Sequence, residues 1–289
     1  TDQLVSIRTA ELAALTTAQI VALTSDQVQA LTTAQIVALT TAQVAALEVG
    51  DFALLTAGQV AALETADVAA LTTAQVVALT TEQAAALSSA QLGALTTAQL
   101  VQMEVADFEA LTAAAIVGLT TAQAAALTVA QVQALTSDQL QAMETRDIAA
   151  LTTAQIQALS SEQFQALTTA QIQALTSTQV EALQTQDLAA LSTEQIRALD
   201  ATDLALLSTA QLVELTVGQI AALTTEQVVK LTSVQFQALT TDQLQALTTE
   251  QVAAMQGADV SALTTAQIVA LTTAQAQALT TAQIVALTS

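Results

Sequence analysis

Seven times in this chain an Asp stands three residues after an acid or a Gln: Glu48/Asp51, Glu64/Asp67, Glu104/Asp107, Glu144/Asp147, Gln184/Asp187, Asp200/Asp203 and Gln256/Asp259. Residues three apart on a helix face the same way. The all-acid pairs therefore make Glu48, Asp51, Glu64, Asp67, Glu104, Asp107, Glu144, Asp147, Asp200 and Asp203 candidate ligands for a hard cation such as calcium. Calcium takes about six to eight oxygens from a shaped loop, so one pair is not enough, and a site requires turns of the chain to stack pairs on one another. Asp67, Asp107, Asp147 and Asp187 recur every 40 residues. The alternative is structural: acids in the first turn of a helix offset the positive end of its dipole. Paired carboxylates also serve glycosidases, but that chemistry needs a cleft that separates two pKa values, and the pattern supplies none.

The elements that carry these residues follow one frame. From Ile7 to Leu287 every eighth residue is Ile, Leu or Met, 36 positions without an insertion or deletion. Three residues before each lies a second apolar residue, reduced to Ala only at Ala84, Ala124 and Ala276. A repeat of this kind is a solenoid signature. The frame shows no linker, so residues 1–289 are expected to be a single continuous array with no internal boundary.

The octad has the grammar of a helix start. In Leu15-Thr16-Thr17-Ala18-Gln19-Ile20-Val21-Ala22, Thr16 and Gln19 have the spacing of a capping box, and Leu15 and Ile20 that of a hydrophobic staple. Thr or Ser holds the cap in 28 of 36 octads, and 22 of the 25 acids fall at the cap or in the first turn. A continuous helix would rotate the apolar stripe by about 80° per octad. Strand alternation fails because the apolar spacing is three and then five. The expected fold is all-α: a thin α-solenoid of about 36 short Thr-capped helices, with a β-solenoid as the alternative. Such helices are too short to stand alone and must be covered by their neighbours. Leu and Ile/Val should face the axis, Ala the close approaches, and Thr and Gln the solvent. Phe52, Phe108, Phe164 and Phe236 fall in the inward slot and read as core filling. At three octads per turn the array would be on the order of 120 Å long.

Composition removes most functions. The chain has no His and no Cys, so it offers no imidazole or thiol for catalysis or zinc. Its Ser and Thr hydroxyls lack a local base, and no catalysis is expected. A net charge of −21 opposes nucleic acid and anionic membranes. No apolar run reaches the roughly 18 residues of a membrane span, and the opening TDQLVSIR is not a signal peptide. No cofactor is implied beyond the calcium candidates above.

Two resemblances arise from these octads. Leu71-Thr72-Thr73-Ala74-Gln75-Val76-Val77-Ala78-Leu79 resembles the first helix of transcription-activator-like effector repeats over nine residues. The 34-residue unit, base-reading pair and basic charge of that family are missing, so DNA binding is not implied. Over its whole length the chain resembles the LTxxQ octad arrays of very large bacterial secreted or surface proteins of the adhesin type. That resemblance implies export, display at a bacterial surface and a role as stalk, spacer or filament segment, with flanking repeats or end-to-end self-association as partners. The array also begins and ends on ordinary octads such as Ile284-Val285-Ala286-Leu287, as a piece of a longer array would. The competing function is a repetitive binding surface, in which outward Thr pairs such as Thr16-Thr17 and Thr32-Thr33 order water or ice or hold a protein partner. A calcium-dependent rod is a third.

Overall fold

The corner between two octads is built without a left-handed residue. In the computed structural model, which describes residues 6–287, no residue with positive φ occurs, Gly included. Leu39 (φ −61°, ψ 141°) and Thr40 (φ −77°, ψ 153°) are both extended, and this Leu-Thr step turns the chain from helix Thr33–Ala38 into helix Thr41–Ala46. Ordinary L-residues adopt this conformation freely, which is why 36 repeats get by with six Gly. The segment Thr1–Val5, part of the opening that reads as no export signal, lies outside the described residues, as do the final Thr288 and Ser289.

Each helix is four to seven residues long, as at Thr97–Leu100 and Thr281–Leu287. The fold is all-α, and among the described residues there is no strand. Thr40 shows the expected cap: its hydroxyl accepts from the Gln43 N–H at 3.3 Å, and Gln43 Oε1 accepts from the Thr40 N–H at 2.8 Å. These bonds satisfy N–H groups that a helix start otherwise leaves open. At the other end the Leu47 N–H donates to the Val44 carbonyl at 3.2 Å and closes the helix.

The chain divides into two compact units, Thr1–Leu151 and Thr152–Ser289. Within each, a helix packs on the one three octads further on: Thr9–Ala13 on Thr33–Ala38 in the first unit, Thr209–Val213 on Ser233–Ala238 in the second. Both apolar slots are buried between these layers, as with Ile36 and Leu39 or Ile196 and Leu199. The four Phe lie in the same slot, fully enclosed.

Two Gly are required by packing. A Cβ on Gly118 would stand 1.9 Å from the Ser89 carbonyl oxygen, and one on Gly93 would stand 2.6 Å from the carbonyl oxygen of Gly118. Both distances are far inside van der Waals contact. The octads that carry them, three apart in the chain, approach backbone to backbone at this point.

One expectation is corrected. The Gln of the LTxxQ motif does not face solvent: from Gln35 to Gln283 it is buried, with Gln75 fully enclosed. Its amide reaches the preceding turn of the array, and that contact defines the candidate site.

Candidate functional site: the corner beneath each Gln

A Gln at the third helical position holds two corners together. Gln43 Oε1 accepts from Thr40 at its own corner, while its Nε2 donates to the carbonyls of Leu12, Ala13 and Leu15 at 3.1, 3.3 and 2.8 Å. These carbonyls close helix Thr9–Ala13 and lead into the next corner, Leu15-Thr16. The last carbonyls of a helix have no partner inside it. The amide of one octad therefore caps the C-terminus of the helix four octads earlier. The offsets of 31, 30 and 28 residues return in both units, at Gln83, Gln91, Gln219 and Gln251 among others. Helices stack three octads apart while amides reach four octads back, so a turn takes between three and four octads.

A second Gln works outside. At Gln157, Gln165, Gln237 and Gln245, in the seventh octad position, Nε2 reaches a carbonyl 25 residues later: Gln165 donates to Ala190 at 3.1 Å and Gln237 to Ala262 at 2.9 Å. These bonds are exposed, and water competes with them.

The seven Asp take the place of the bridging Gln. Asp51, Asp67, Asp107, Asp147, Asp187, Asp203 and Asp259 are all buried, whereas their partners at the cap, Glu48, Glu64, Glu104, Glu144, Gln184, Asp200 and Gln256, are exposed. The candidate cation pairs are thus split, one carboxyl in the core and one in solvent. Among the described residues no three His, Cys, Asp or Glu side chains gather as a metal cluster. Asp200 serves as an N-cap, its Oδ1 accepting from the Thr202 N–H at 2.7 Å, and that bond holds its carboxyl below the ordinary Asp value. The side chains of Glu48, Glu104 and Glu144 make no cap bond. Gln184 and Gln256 instead turn outward and donate to the carbonyls of Gln157 and Val229 at 2.7 and 2.9 Å.

Asp has no N–H to give to the corner below. In four of the seven places the polarity of the rung is reversed, with the lower corner donating upward. Ser25, Ser161, Ser177 and Ser233 each give a hydroxyl proton to the Oδ1 of Asp51, Asp187, Asp203 and Asp259, at 2.6, 2.7, 2.5 and 2.7 Å. Each Ser stands 26 residues before its Asp and replaces the second Thr of its octad. The remaining three Asp have Thr at that offset: Thr41, Thr81 and Thr121. Here buried oxygens go without a hydrogen-bond partner, Oδ2 of Asp107 and both oxygens of Asp147; Oδ2 of Asp187 is left over in the same way.

The electrostatics follow from this burial. Desolvation pushes the Asp107 carboxyl above its ordinary value, and the charge of Glu104 adds to it. Desolvation also raises Asp147, partly opposed by the Arg146 guanidinium and reinforced by Glu144. Arg146 is bound mainly to Glu144, at 2.6 Å, and lies 3.9 Å from Asp147 Oδ1. Asp187 is raised by desolvation and pulled back by the Ser161 hydroxyl.

A family model described as the ALTTAQ repeat matches residues 1–33, 60–97, 100–137, 140–177, 180–217, 200–233, 220–257 and 252–289. The chain belongs to the ALTTAQ repeat family. Comparison with curated proteins gives no match. The Thr and Gln of the ALTTAQ motif are the two residues that build and bridge the corners wherever the motif is kept. Successive ALTTAQ matches begin at 60, 100, 140 and 180, in the step of five octads that separates Asp67, Asp107, Asp147 and Asp187.

The sequence held a signal for the reversed rungs. Before the terminal Ser289, the second Thr of the octad is Ser at Ser25, Ser89, Ser137, Ser161, Ser177 and Ser233, and an Asp follows 26 residues after four of these six. After Ser89 the same offset falls on Ala115, which replaces the bridging Gln beside the Gly93/Gly118 contact.

Proposed function

We propose that this ALTTAQ array is a non-catalytic structural module, a stalk, spacer or filament segment of a larger bacterial surface or secreted protein. The observation that carries the reading is the use of the repeated polar side chain. The bridging Gln directs both ends of its amide at the array's own backbone, so the repeat's main chemistry serves cohesion between its turns. Exposed charge is sparse, with four basic and 25 acidic residues in the chain. Among the described residues no helix is long and apolar enough to cross a membrane.

Flanking repeats are the natural partners in this reading, because an octad added to either end would meet the same corner chemistry. The adhesin-type context and display outside the cell come from the resemblance of the octads to such arrays. Solution scattering tests the mechanical role: a spacer gives an extended profile whose largest dimension grows linearly as five-octad blocks are added. A compact profile, or one insensitive to added blocks, overturns it. Hydrolytic or transfer activity of the purified chain would overturn the non-catalytic reading.

A further inference from the structure

We propose that Asp107 is a proton-binding lock within the array: its carboxyl takes a proton from solvent while the chain stays folded, and in the neutral form ties its corner to the turn below as the bridging Gln does elsewhere.

Asp107 occupies the third position of helix Val105–Ala110, where Gln99 one octad earlier accepts from its cap N–H at 2.6 Å and donates to the carbonyls of Val68, Ala69 and Leu71. The same offsets place the carbonyls of Val76, Val77 and Leu79 beneath Asp107. An ionised carboxylate has acceptors only, whereas a protonated one has an acceptor and a donor, as an amide does. Asp107 is 4% exposed, and its Oδ2 is buried without a hydrogen bond. An unpaired charge in such a place is costly unless it is neutralised.

Nothing around the slot supplies positive charge. Helix Val105–Ala110 packs on Thr81–Ala85 and Val129–Ala134, and Gln139 of helix Ser137–Ala142 bonds to its carbonyl end. The titratable groups on these elements are Glu82, Glu104, Glu109 and Asp138, all exposed and all acidic; helices Thr73–Val77 and Val129–Ala134 carry none. No Lys or Arg stands on any of them. Asp187 differs, since the Ser161 hydroxyl already donates to it. Asp147 differs too, because Arg146 lies beside it. Asp107 has neither, and a proton is the smallest positive charge that can enter a dry slot.

Burial raises the Asp107 carboxyl above its ordinary value. The folded chain binds this proton more tightly than the unfolded chain, so acid stabilises the fold. The contribution begins as pH falls through the raised value and is complete below the ordinary Asp value of 3.8. The full chain, Asp107→Gln and Asp107→Asn are melted from neutral pH to about pH 4 at fixed ionic strength, with chelator or with millimolar calcium. The proposal expects Asp107→Gln to exceed the wild type at neutral pH by roughly 2–4 °C in Tm. The difference should close in acid, because only the wild type gains the proton. Asp107→Asn, neutral and nearly isosteric, should lose the same part of the pH dependence even if Gln fits the slot poorly. Parallel pH profiles for all three chains would overturn the proposal. So would a calcium-induced rise at neutral pH in the wild type alone, which would make the slot a cation site.

Discussion

The corner below Gln99 and the corner below Asp107 are the same Leu-Thr turn, one octad apart in position along the array, yet they are closed in different ways. Beneath Gln99 the carbonyls of Ala69 and Leu71 receive an amide at 3.1 and 2.6 Å. Beneath Asp107 the side chain has no N–H to offer and keeps a buried, unpaired oxygen. Asp187 stands between these extremes: Ser161 donates to one oxygen, and the other is unpaired. A repeat can thus keep its backbone unchanged while the direction of one hydrogen bond sets how firmly neighbouring turns are joined. A regular solenoid is close to a sum of nearest-neighbour terms, so such corners are local weak or strong links in an otherwise uniform array.

The largest effect is expected at the Gly pair: Gly118→Ala places a methyl 1.9 Å from the Ser89 carbonyl oxygen and must push two backbones apart. A loss of about 3 kcal/mol is expected by denaturant unfolding, and a loss under about 0.5 kcal/mol would show that the close approach is not fixed. Next comes Gln131→Ala, which leaves the carbonyls of Leu100 and Met103 without the amide they hold at 2.8 and 3.2 Å. That should cost about 2 kcal/mol.

The reversed rungs give a pair of opposite predictions. Ser177→Ala removes the donor to Asp203 and should destabilise by about 1–2 kcal/mol, whereas Thr121→Ser keeps the hydroxyl and removes the methyl that restricts its χ1, leaving it free to turn to Asp147 as Ser161 turns to Asp187, and should stabilise by about 1 kcal/mol. If Thr121→Ser changes nothing, the 26-residue pairing does not transfer between Asp octads. The smallest effect is expected outside, at Gln165→Ala. Its bond to the Ala190 carbonyl is exposed, so a change within about 0.5 kcal/mol is expected.

Local structure was legible because each octad carries its own signal. Thr40 and Gln43 predict the cap, Leu39 and Val44 the staple, and the structure keeps both slots buried. The path of the chain between turns was not legible from one octad. Gln43 looks like a solvent-facing partner of Thr40 until its Nε2 is seen to meet Leu15, 28 residues away. A capping box uses only the oxygen of that amide, and nothing in the local motif says where the nitrogen goes. The acids misled for a related reason. Glu104 and Asp107 share a helical spacing, but the third position points into the layer below and the cap points to water, so one member is buried and the other exposed. The offset of 26 residues from Ser161 to Asp187 was present in the sequence, and it acquires meaning only once octads are known to stack three apart.

The ALTTAQ Gln joins helices that are four octads apart in the chain. Gln131→Glu isolates this bridge, because Glu keeps the acceptor for the Thr128 N–H and loses the donor to Leu100 and Met103. Backbone hydrogen exchange at neutral pH would be compared between the two chains, peptide by peptide. A Gln that bridges two helices gives faster exchange on its loss in two separated stretches, around Thr128–Ala134 and around Leu100–Met103, about 30 residues earlier. Loss of protection confined to Thr128–Ala134 would mean that the Gln serves its own helix alone and that the turns are joined by the apolar core without it.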